Sequence, residues 1–479
     1  MINNFEVIIG IETHIVLNTK TKMFSYSINS HHLSPNTAIN EIDLGLPGIL
    51  PTPNPNAIKK AIWLGLALNS EINWKRIQFD RKNYFYLDLP KGFQITQQYF
   101  PIGKNGKLVV DINEEKIPIE IERFHLEEDT AKQIISSNEI LLDYNRSGCP
   151  LIEIVTKPKI RSSQQAAEYL RKLIQILKFN NISDAKLEDG SMRADINVSV
   201  RPIGQKELNK KVEIKNINSI NNVVKAIEYE IDRQIKILLN NESVSQETRR
   251  FDEATNTTVF MREKTDAVNY FYFNDINIPI ISLTNDEFEK IKQEKNKDLD
   301  EIINELIQLG FNKNNINLLI NNYDLYKLFE KINNQINEPN ICFNWITVEL
   351  SGLLNKNNLQ ISQLDNEFIH EFTIMLDLLV NQEINGKQAK IIFEKIFNEK
   401  SKVKELIIEL GFEQIKDVDY LTNLIKSIMD TNQEIINEYQ SRPEKVQKFI
   451  IGNVMKETKS QANPKITAEI VIKMLDNKK

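Results

Sequence analysis

Ionisable side chains recur in the middle of predicted β-strands, where charge is uncommon. In the run 7–17, Glu12 and His14 fall on one side of a period-2 pattern and aliphatic residues fall on the other, because successive strand side chains point to opposite faces of a sheet. One face can therefore pack while the other carries chemistry. Further ionisable residues within predicted strands are Glu153, Arg193, Asp195, Glu213 and Lys215.

A second acidic group ends another predicted strand, 117–126, and comprises Glu127, Glu128 and Asp129. Carboxylates of this kind are ionised at neutral pH unless burial raises their pKa. Two like charges 4 Å apart cost roughly 4 kcal/mol at an effective dielectric near 20, so several acids in one cavity favour a bound cation. Oxygen ligands suit Mg²⁺, which usually shares its coordination with substrate phosphates. The pattern therefore predicts a site for a metal ion and a phosphate.

An alternative interpretation is that each acid pairs with a neighbouring lysine or arginine on a solvated face. Each acid taken alone fits that interpretation, whereas their recurrence on separate strands favours a shared site. His14 fits either the metal site or a hydrogen-bonded core position, since imidazole is not a preferred Mg²⁺ ligand. His125 is interpreted as structural.

The overall composition predicts a globular protein of two or three domains. The chain has 479 residues, of which 41% are hydrophobic and 26% charged, and its formal net charge is −6; one hydrophobic core seldom grows to that size. Cys149 and Cys342 are too few for a disulfide framework or a Cys-rich zinc site, which fits a reducing compartment and predicts a cytoplasmic location. Neither a signal peptide nor a membrane span is expected.

Glycine and proline divide the chain into a turn-rich part and a helix-rich part, with 22 of these residues before position 295 and 8 after it. The first part alternates strand patterns with two amphipathic helices, one starting at the capping pattern Ser162-x-x-Gln165 and one running from Val223 to Leu238. We therefore predict an α+β fold, with an N-terminal, mainly antiparallel sheet covered by helices and helical bundles after it. The predicted domains are 1–293, 294–405 and 406–479.

The C-terminal segment 442–479 carries 9 Lys and Arg against 4 Asp and Glu. This net charge of +5 fits a solvated helical surface, and it also fits a module that contacts nucleic-acid phosphates. The chain contains no G-x-x-x-x-G-K-[ST] loop and no G-x-S-x-G elbow, so neither P-loop nucleotide binding nor serine hydrolase chemistry is predicted.

Several segments in order resemble the B subunits of the tRNA-dependent amidotransferases, the GatB/GatE family, over nearly the whole chain. The bacterial or organellar form fits better than the archaeal one, because no long inserted domain is present. The segments that carry the resemblance are Gly10-Ile11-Glu12-Thr13-His14, Leu44-Gly45-Leu46-Pro47-Gly48, Phe79-Asp80-Arg81-Lys82-Asn83-Tyr84-Phe85-Tyr86, His125-Leu126-Glu127-Glu128-Asp129, Asp143-Tyr144-Asn145-Arg146, Pro150-Leu151-Ile152-Glu153-Ile154-Val155 and Glu213-Ile214-Lys215-Asn216-Ile217-Asn218-Ser219.

The resemblance implies a kinase-like cradle domain, a helical domain and a small YqeY-like tail that contacts tRNA. It implies ATP- and Mg²⁺-dependent phosphorylation of the side-chain carboxylate of Glu-tRNA(Gln), Asp-tRNA(Asn) or both, followed by amidation. The ammonia for this step would come from glutamine, released by the amidase, or A, member of the complex. A small C member makes up the expected heterotrimer, and a bacterial cytosol is preferred over an organellar matrix.

By motif position, the resemblance also implies roles for individual residues. His14, Glu128 and Glu153 would hold magnesium, and Glu12, Glu127 and Asp195 would line a neighbouring cation or phosphate position. Basic residues beside these acids can either clamp ATP or form salt bridges with the acids, and both alternatives stay open. The candidate clamps for ATP are Arg81, Lys82, Arg193 and Lys215.

One departure from the family concerns zinc. Many relatives carry two cysteine pairs that bind zinc, whereas the corresponding positions here are Ser25, Ser27, Asn40 and Asp43. No zinc is therefore expected, and packing must hold this region.

Two other functions compete with the catalytic one. The chain could be a non-catalytic tRNA-binding scaffold whose acids are structural. It could also be a metal-dependent phosphodiesterase, since carboxylate clusters with Mg²⁺ serve that chemistry as well.

Overall fold

The computed structural model of the chain describes residues 4–30, 33–136, 139–263, 270–415, 417–458 and 461–476. Contacts divide the chain into two compact units, Met1–Tyr323 and Asp324–Lys479. The first unit contains the sheets and the second is helical, so the predicted α+β fold with a helical C-terminal part is confirmed. No helix among the described residues is both long and apolar enough to cross a bilayer.

Strands of the first unit form one large sheet and two small ones. The large sheet has nine strands in the order β13-β12-β11-β10-β1-β9-β6-β5-β2, and its pairs are antiparallel except for β11 with β12. The strands are β1 (Phe5–Val16), β2 (Glu71–Ile72), β3 (Asp80–Asn83), β4 (Phe93–Thr96), β5 (Gly103–Ile112), β6 (Glu115–Glu128), β7 (Lys132–Ile135), β8 (Ile140–Asp143), β9 (Pro150–Thr156), β10 (Met192–Pro202), β11 (Val212–Lys215), β12 (Glu247–Asp252), β13 (Thr257–Glu263) and β14 (Phe271–Asn274).

The central strand β1 shows how the alternation of its side chains sets the two faces of the sheet. Ile9, Ile11 and Ile15 are at most 1% exposed, whereas Glu12 and His14 on the other face remain partly accessible. Burying an aliphatic side chain of this size stabilises the fold by about 1.5–3 kcal/mol. The apolar face therefore fixes the register, and a slip of one residue would bury the ionisable side chains instead.

Helices α2 and α3 cover the sheet as predicted, packing against each other and against strands β5 and β10. Ser162 caps α2 by accepting a hydrogen bond from the backbone amide of Gln165, and Ala166, Leu170, Leu173 and Leu177 along one side of α2 are fully buried. On α3, the carboxylate of Glu230 is also fully buried. Arg233 and Thr258 donate hydrogen bonds to it, and these bonds offset the cost of removing the charge from water. The helices of this unit are α1 (Pro55–Ala67), α2 (Ser163–Phe179), α3 (Ile220–Leu239), α4 (Asn285–Glu294), α5 (Leu299–Gln308) and α6 (Lys313–Ile320).

The second unit is built of helices joined by turns, with an isolated bridge between Ile415 and Ala462. A π-helical segment, Trp345–Leu350, joins two of its helices, and a 3₁₀ turn lies at Ile361–Gln363. The helices are α7 (Tyr323–Ile336), α8 (Pro339–Asn344), α9 (Ser351–Lys356), α10 (Asn366–Val380), α11 (Gly386–Glu399), α12 (Val403–Glu409), α13 (Val418–Thr431), α14 (Gln433–Ile436), α15 (Pro443–Glu457) and α16 (Pro464–Asp476).

Helices α13 to α16 share a hydrophobic core of their own, which includes Leu421, Ile425 and Val471. The predicted boundary between residues 405 and 406 lies within helix α12. This helix packs against α10 and α11. The division into domains 1–293, 294–405 and 406–479 stays a prediction.

A buried ion pair occupies the region that contains Ser25, Asn40 and Asp43. Lys22 is 0% exposed and Asp43 is 3% exposed, with 3.2 Å between Nζ and Oδ2. The hydroxyl of Ser25 donates a hydrogen bond to Asp43 Oδ1 at 2.7 Å, and the backbone N–H of Asn40 donates to Asp43 Oδ2 at 3.1 Å. Lys22 also donates to the backbone carbonyl of Tyr144 at 3.3 Å. The pair therefore joins three chain segments around one buried charge.

Replacing Asp43 by Asn should lower the free energy of unfolding by about 3 kcal/mol, because the buried ammonium of Lys22 loses its counter-charge. Urea unfolding followed by tryptophan fluorescence in a Trp345→Phe background measures this effect, since Trp63 and Trp74 then report on the first unit alone.

The control for this experiment is Lys159→Met, which removes an exposed partner of Glu120; it should change stability by less than about 1 kcal/mol. The double variant Lys22→Met, Asp43→Leu should recover much of the loss, since it removes both charges. Equal stability of Asp43→Asn and the unmodified chain would contradict the structural importance of the pair.

Candidate active site

The acidic face of the large sheet brings three ionisable side chains into one row. Strand β9 lies between β1 and β6, and Glu153 of β9 pairs in register with His14 on one side and His125 on the other. Adjacent strands lie about 4.8 Å apart, so side chains in the same row are close enough to share a ligand. In the sequence, His14 lies at least 111 positions from the other two residues of the row. His125 and Glu153 are 28 positions apart.

His14 lies at the centre of a group of carboxylates. Its Nε2 atom is 3.3 Å from Glu153 Oε2, 3.7 Å from Glu127 Oε1 and 3.7 Å from Glu12 Oε1. One oxygen or nitrogen from each of Glu12, His14 and Glu153 can be chosen so that all three atoms lie within 4.8 Å of one another. A single cation can therefore contact all three side chains.

A second candidate cation position shares Glu153 with the first. His125 Nε2 is 3.7 Å from Glu127 Oε2 and 3.7 Å from Glu153 Oε2, and ligand atoms of these three residues also lie within 4.8 Å of one another. The other ring nitrogen, His125 Nδ1, is buried without a hydrogen-bond partner among the described residues. We call Glu12, His14, His125, Glu127 and Glu153 the acid cluster.

Burial and mutual charge shift the pKa values within the acid cluster. Burial and the charge of Glu153 raise the pKa of Glu12. Burial also tends to raise the pKa of Glu153, but the charges of His125 and His14 outweigh it and lower that pKa to about 2. For His14, burial acts to lower the pKa, but the hydrogen bond with Glu153 and the charges of Glu127 and Glu12 raise it to about 9.

These shifts show that the acid cluster favours positive charge. Without a metal ion, the two imidazoles can carry protons and serve as counter-ions for Glu12, Glu127 and Glu153. A divalent cation would supply the same charge, with the carboxylate oxygens that Mg²⁺ prefers. Partly buried carboxylates at ligand distance, facing a cavity, fit a resident Mg²⁺.

Glu128 does not join the acid cluster. Its carboxylate pairs with Lys91 and accepts a hydrogen bond from the Ile95 amide at 3.0 Å. Consecutive residues of a strand point to opposite faces, so Glu127 reaches His14 while Glu128 points to β4. The structure therefore does not bring together the predicted metal set of His14, Glu128 and Glu153, and Glu127 stands where Glu128 was expected.

Asp195 and Lys215 extend the polar face beside the acid cluster. Asp195 pairs in register with Glu12, and Lys215 of β11 forms an ion pair with Asp195. Burial lowers the pKa of Lys215, but the charge of Asp195 outweighs it and raises that pKa above its ordinary value. The Lys215 ammonium therefore stays charged next to Glu12.

Two of the other three candidate clamps, Arg193 and Lys82, line a cavity beside the acid cluster, and Arg81 is not among the residues that line it. Arg193 is half-exposed and is held by Asp129 at 2.8 Å, and Lys82 lies with Nζ 4.5 Å from the ring centroid of Tyr270. Arg81 instead pairs with Asp275 at 2.9 Å, and its guanidinium carbon lies 4.1 Å from the ring centroid of Phe93. Arg81 is therefore used to join strands away from the acid cluster.

A cavity of about 770 Å³ opens beside the acid cluster. Its walls include Glu12, His14, Glu127 and Glu153 together with the clamps Lys82, Arg193 and Lys215, and two loops, 187–190 and 216–218, complete it. This main cavity is large enough for a nucleotide.

Sequence reasoning interpreted His125 as structural and gave Asp129 no individual role, although the signal for His125 was present. The period-2 pattern of β6 places His125 and Glu127 on one face and Leu126 and Glu128 on the other, which was sufficient to group His125 with Glu127. Asp129 lines the main cavity and holds Arg193, a role that only the pairing across 64 residues reveals.

Comparison with known proteins identifies the family. The GatB/GatE catalytic domain matches residues 7–289, and the GatB domain matches residues 327–475. The chain belongs to the GatB/GatE family. The resemblance stated from the sequence is confirmed.

Three similar proteins are each named as the B subunit of aspartyl/glutamyl-tRNA(Asn/Gln) amidotransferase. The protein of Ureaplasma urealyticum is 49% identical over 473 residues, which cover 98% of this chain and 99% of the relative. The protein of Malacoplasma penetrans is 49% identical over 477 residues, covering 99% and 98%. The protein of Mycoplasma pneumoniae is 47% identical over 475 residues, covering 98% of each. Membership of the GatB/GatE family supports an amidotransferase role.

The geometry of this GatB/GatE site predicts which acids control metal binding. Glu153→Gln should weaken Mn²⁺ binding roughly tenfold or more, because Glu153 borders both candidate positions. Glu128→Gln should leave Mn²⁺ binding unchanged, since Glu128 lies on the opposite face. Titration with Mn²⁺ followed by electron paramagnetic resonance measures both affinities. Weaker binding in Glu128→Gln with unchanged binding in Glu153→Gln would contradict the assignment.

Proposed function

We propose that this chain is the B subunit of a tRNA-dependent amidotransferase and that the acid cluster is its kinase-like active site. The reaction is the ATP-dependent phosphorylation of the side-chain carboxylate of Glu-tRNA(Gln), Asp-tRNA(Asn) or both, followed by amidation. The observation that carries the proposal is the convergence of Glu12, His14, Glu127 and Glu153 beside a cavity that three basic side chains also line.

Mg²⁺ and ATP fit this arrangement. In phosphoryl transfer, a bound Mg²⁺ neutralises charge on the transferring phosphate. Glu12, Glu127 and Glu153 would hold the ion, together with His14 or His125. The donors of Lys82, Arg193 and Lys215 would bind phosphate oxygens and orient the triphosphate. No nucleophile from the protein is needed, because the substrate carboxylate itself attacks the phosphate.

The chemical sequence follows from the substrate. A carboxylate oxygen of the aminoacyl side chain attacks the γ-phosphorus, the bond to the β-phosphate oxygen breaks, and ADP leaves. Ammonia then attacks the acyl carbon, inorganic phosphate leaves, and one proton is lost from nitrogen to give the amide. The phosphate is a far better leaving group than an oxide, which is the reason for using ATP.

The partners follow from the same reaction. The chain contains no G-x-S-x-G elbow, and we propose that the amidase, or A, member of the complex supplies ammonia from glutamine and that a small C member is the third component. We assign tRNA binding to the cradle (1–293), the helical domain (294–405) and the tail (406–479), whose last part, 442–479, carries the basic excess. We propose a cytoplasmic location, where tRNA and ATP are available.

The proposed chemistry predicts that Glu127→Gln abolishes ATP-dependent amidation in the complex with its partner subunits, with a loss of at least about a hundredfold in turnover. The substitution keeps the shape of the side chain and removes the charge that a metal ion needs. Amidation of Glu-tRNA(Gln) is measured with ATP and glutamine, and tRNA binding is measured by filter retention. Binding should be retained.

The matched control is Glu168→Gln on α2, where the partly exposed carboxylate forms an ion pair with Arg171; it should keep full activity. Full turnover in Glu127→Gln would instead favour the tRNA-binding scaffold. RNA cleavage by the chain with Mg²⁺ would favour the phosphodiesterase. The amidation assay with each mischarged tRNA in turn decides which substrate is used.

A further inference from the structure

A second cavity, of about 420 Å³, lies on the same face of the large sheet. It adjoins the main cavity at Glu12, which lines both. Along β1, the side chains that face this side are His14, then Glu12, then Gly10, then Ile8. The acid cluster thus occupies one end of the row, and the second cavity begins where Gly10 offers no side chain.

Gly10 is a glycine that neither the backbone nor the packing requires. It lies within the central strand β1, where glycine costs conformational entropy and contributes no packing. It is not among the residues with positive φ, and an added Cβ would meet only Pro158, at 3.9 Å. A Cβ atom could therefore be added at this position. The absence of a side chain at Gly10 keeps the second cavity open.

Asn197 is a polar residue in the wall of the second cavity. It pairs in register with Gly10, so its side chain stands next to the open space. Its side chain lines the second cavity, and an amide side chain can both donate and accept hydrogen bonds.

The remaining walls define the chemistry of the ligand. Arg123 uses one of its five donors on Glu122, at 2.7 Å, and its other donors suit a carboxylate. Ser199 and Asn197 offer uncharged polar groups, and Ile8 and Leu208 offer apolar surface. Glu122 and Lys211 add one charge of each sign to the walls, so the cavity can accept a ligand that carries both an ammonium and a carboxylate group. This combination suits a small group that carries a carboxylate, a methylene chain and hydroxyls.

We propose that the second cavity is the acceptor subsite and takes the aminoacyl-ribose end of the mischarged tRNA. The inference rests on the proposed function. Phosphoryl transfer needs the attacking and leaving oxygens roughly in line, so donor and acceptor must approach the acid cluster from different sides. The main cavity, with Lys82, Arg193 and Lys215, suits the triphosphate, and the second cavity lies on the other side of Glu12.

The test fills the cavity without changing any charged group. Gly10→Val in the complex with its partner subunits should raise the KM for Glu-tRNA(Gln) about tenfold or more, since misfit of one or two methyl groups has effects of this size. The KM for ATP should stay within about twofold. Gly10→Ala should show a smaller rise in the same KM. Calorimetric binding of MgATP in the absence of tRNA should be the same in both variants and the unmodified complex.

The control is Gly352→Ala, a substitution of the same size on exposed α9, where an added Cβ meets nothing; it should leave both KM values unchanged. Thermal unfolding of the Gly10 variants checks that the sheet is intact, and Gly10→Ala is the variant whose Cβ makes only ordinary contacts.

Two results would overturn the inference. A raised KM for ATP with an unchanged KM for Glu-tRNA(Gln) would assign the second cavity to the nucleotide. Unchanged values for both substrates in Gly10→Val would show that the cavity is no subsite. A wild-type complex without ATP-dependent amidation would contradict the proposed function itself, and is thereby distinguished from either result.

Discussion

The repulsion between carboxylates on one face of a sheet is the constraint on which the rest of this site depends. Glu12, Glu127 and Glu153 are held close together by strands whose opposite faces are buried, so they cannot move apart without breaking the core. His14 and His125 lie among them and can carry compensating protons, and the raised pKa of His14, about 9, reflects that field. The stability of the sheet is thereby used to maintain an arrangement of charge that attracts a cation.

Separation of packing from chemistry follows from the geometry of the strand. The aliphatic side chains of β1 are buried on one face, and this burial fixes the register that aligns His14 with Glu153 and Glu12 with Asp195. The ligand-facing side of the sheet is consequently free to carry acids, basic clamps and an open position at Gly10. Two cavities that meet at Glu12 result from this single alternation.

Ion pairs are also buried away from the acid cluster, where they stabilise the fold. Lys22 and Asp43 form a hydrogen-bonded pair that joins three segments, and Arg81 with Asp275 joins residues 194 positions apart. Both pairs are locally satisfied, so they hold the fold together. The acid cluster differs because its three carboxylates share two imidazoles and face a cavity. That imbalance separates a binding site from a structural ion pair.

The sequence by itself determined the strand and helix patterns, the face of β1 that carries Glu12 and His14, and the family, because all of these depend on local periodicity and on ordered motifs. Sequence reasoning selected Glu128 where the structure brings Glu127 to His14, although the alternation within β6 could have separated them. Tertiary structure alone decided that Arg81 pairs with Asp275, that Asp129 holds Arg193 and that Lys22 pairs with Asp43. These contacts join residues 21 to 194 positions apart, and local periodicity carries no information about which distant side chains the folded sheet brings together.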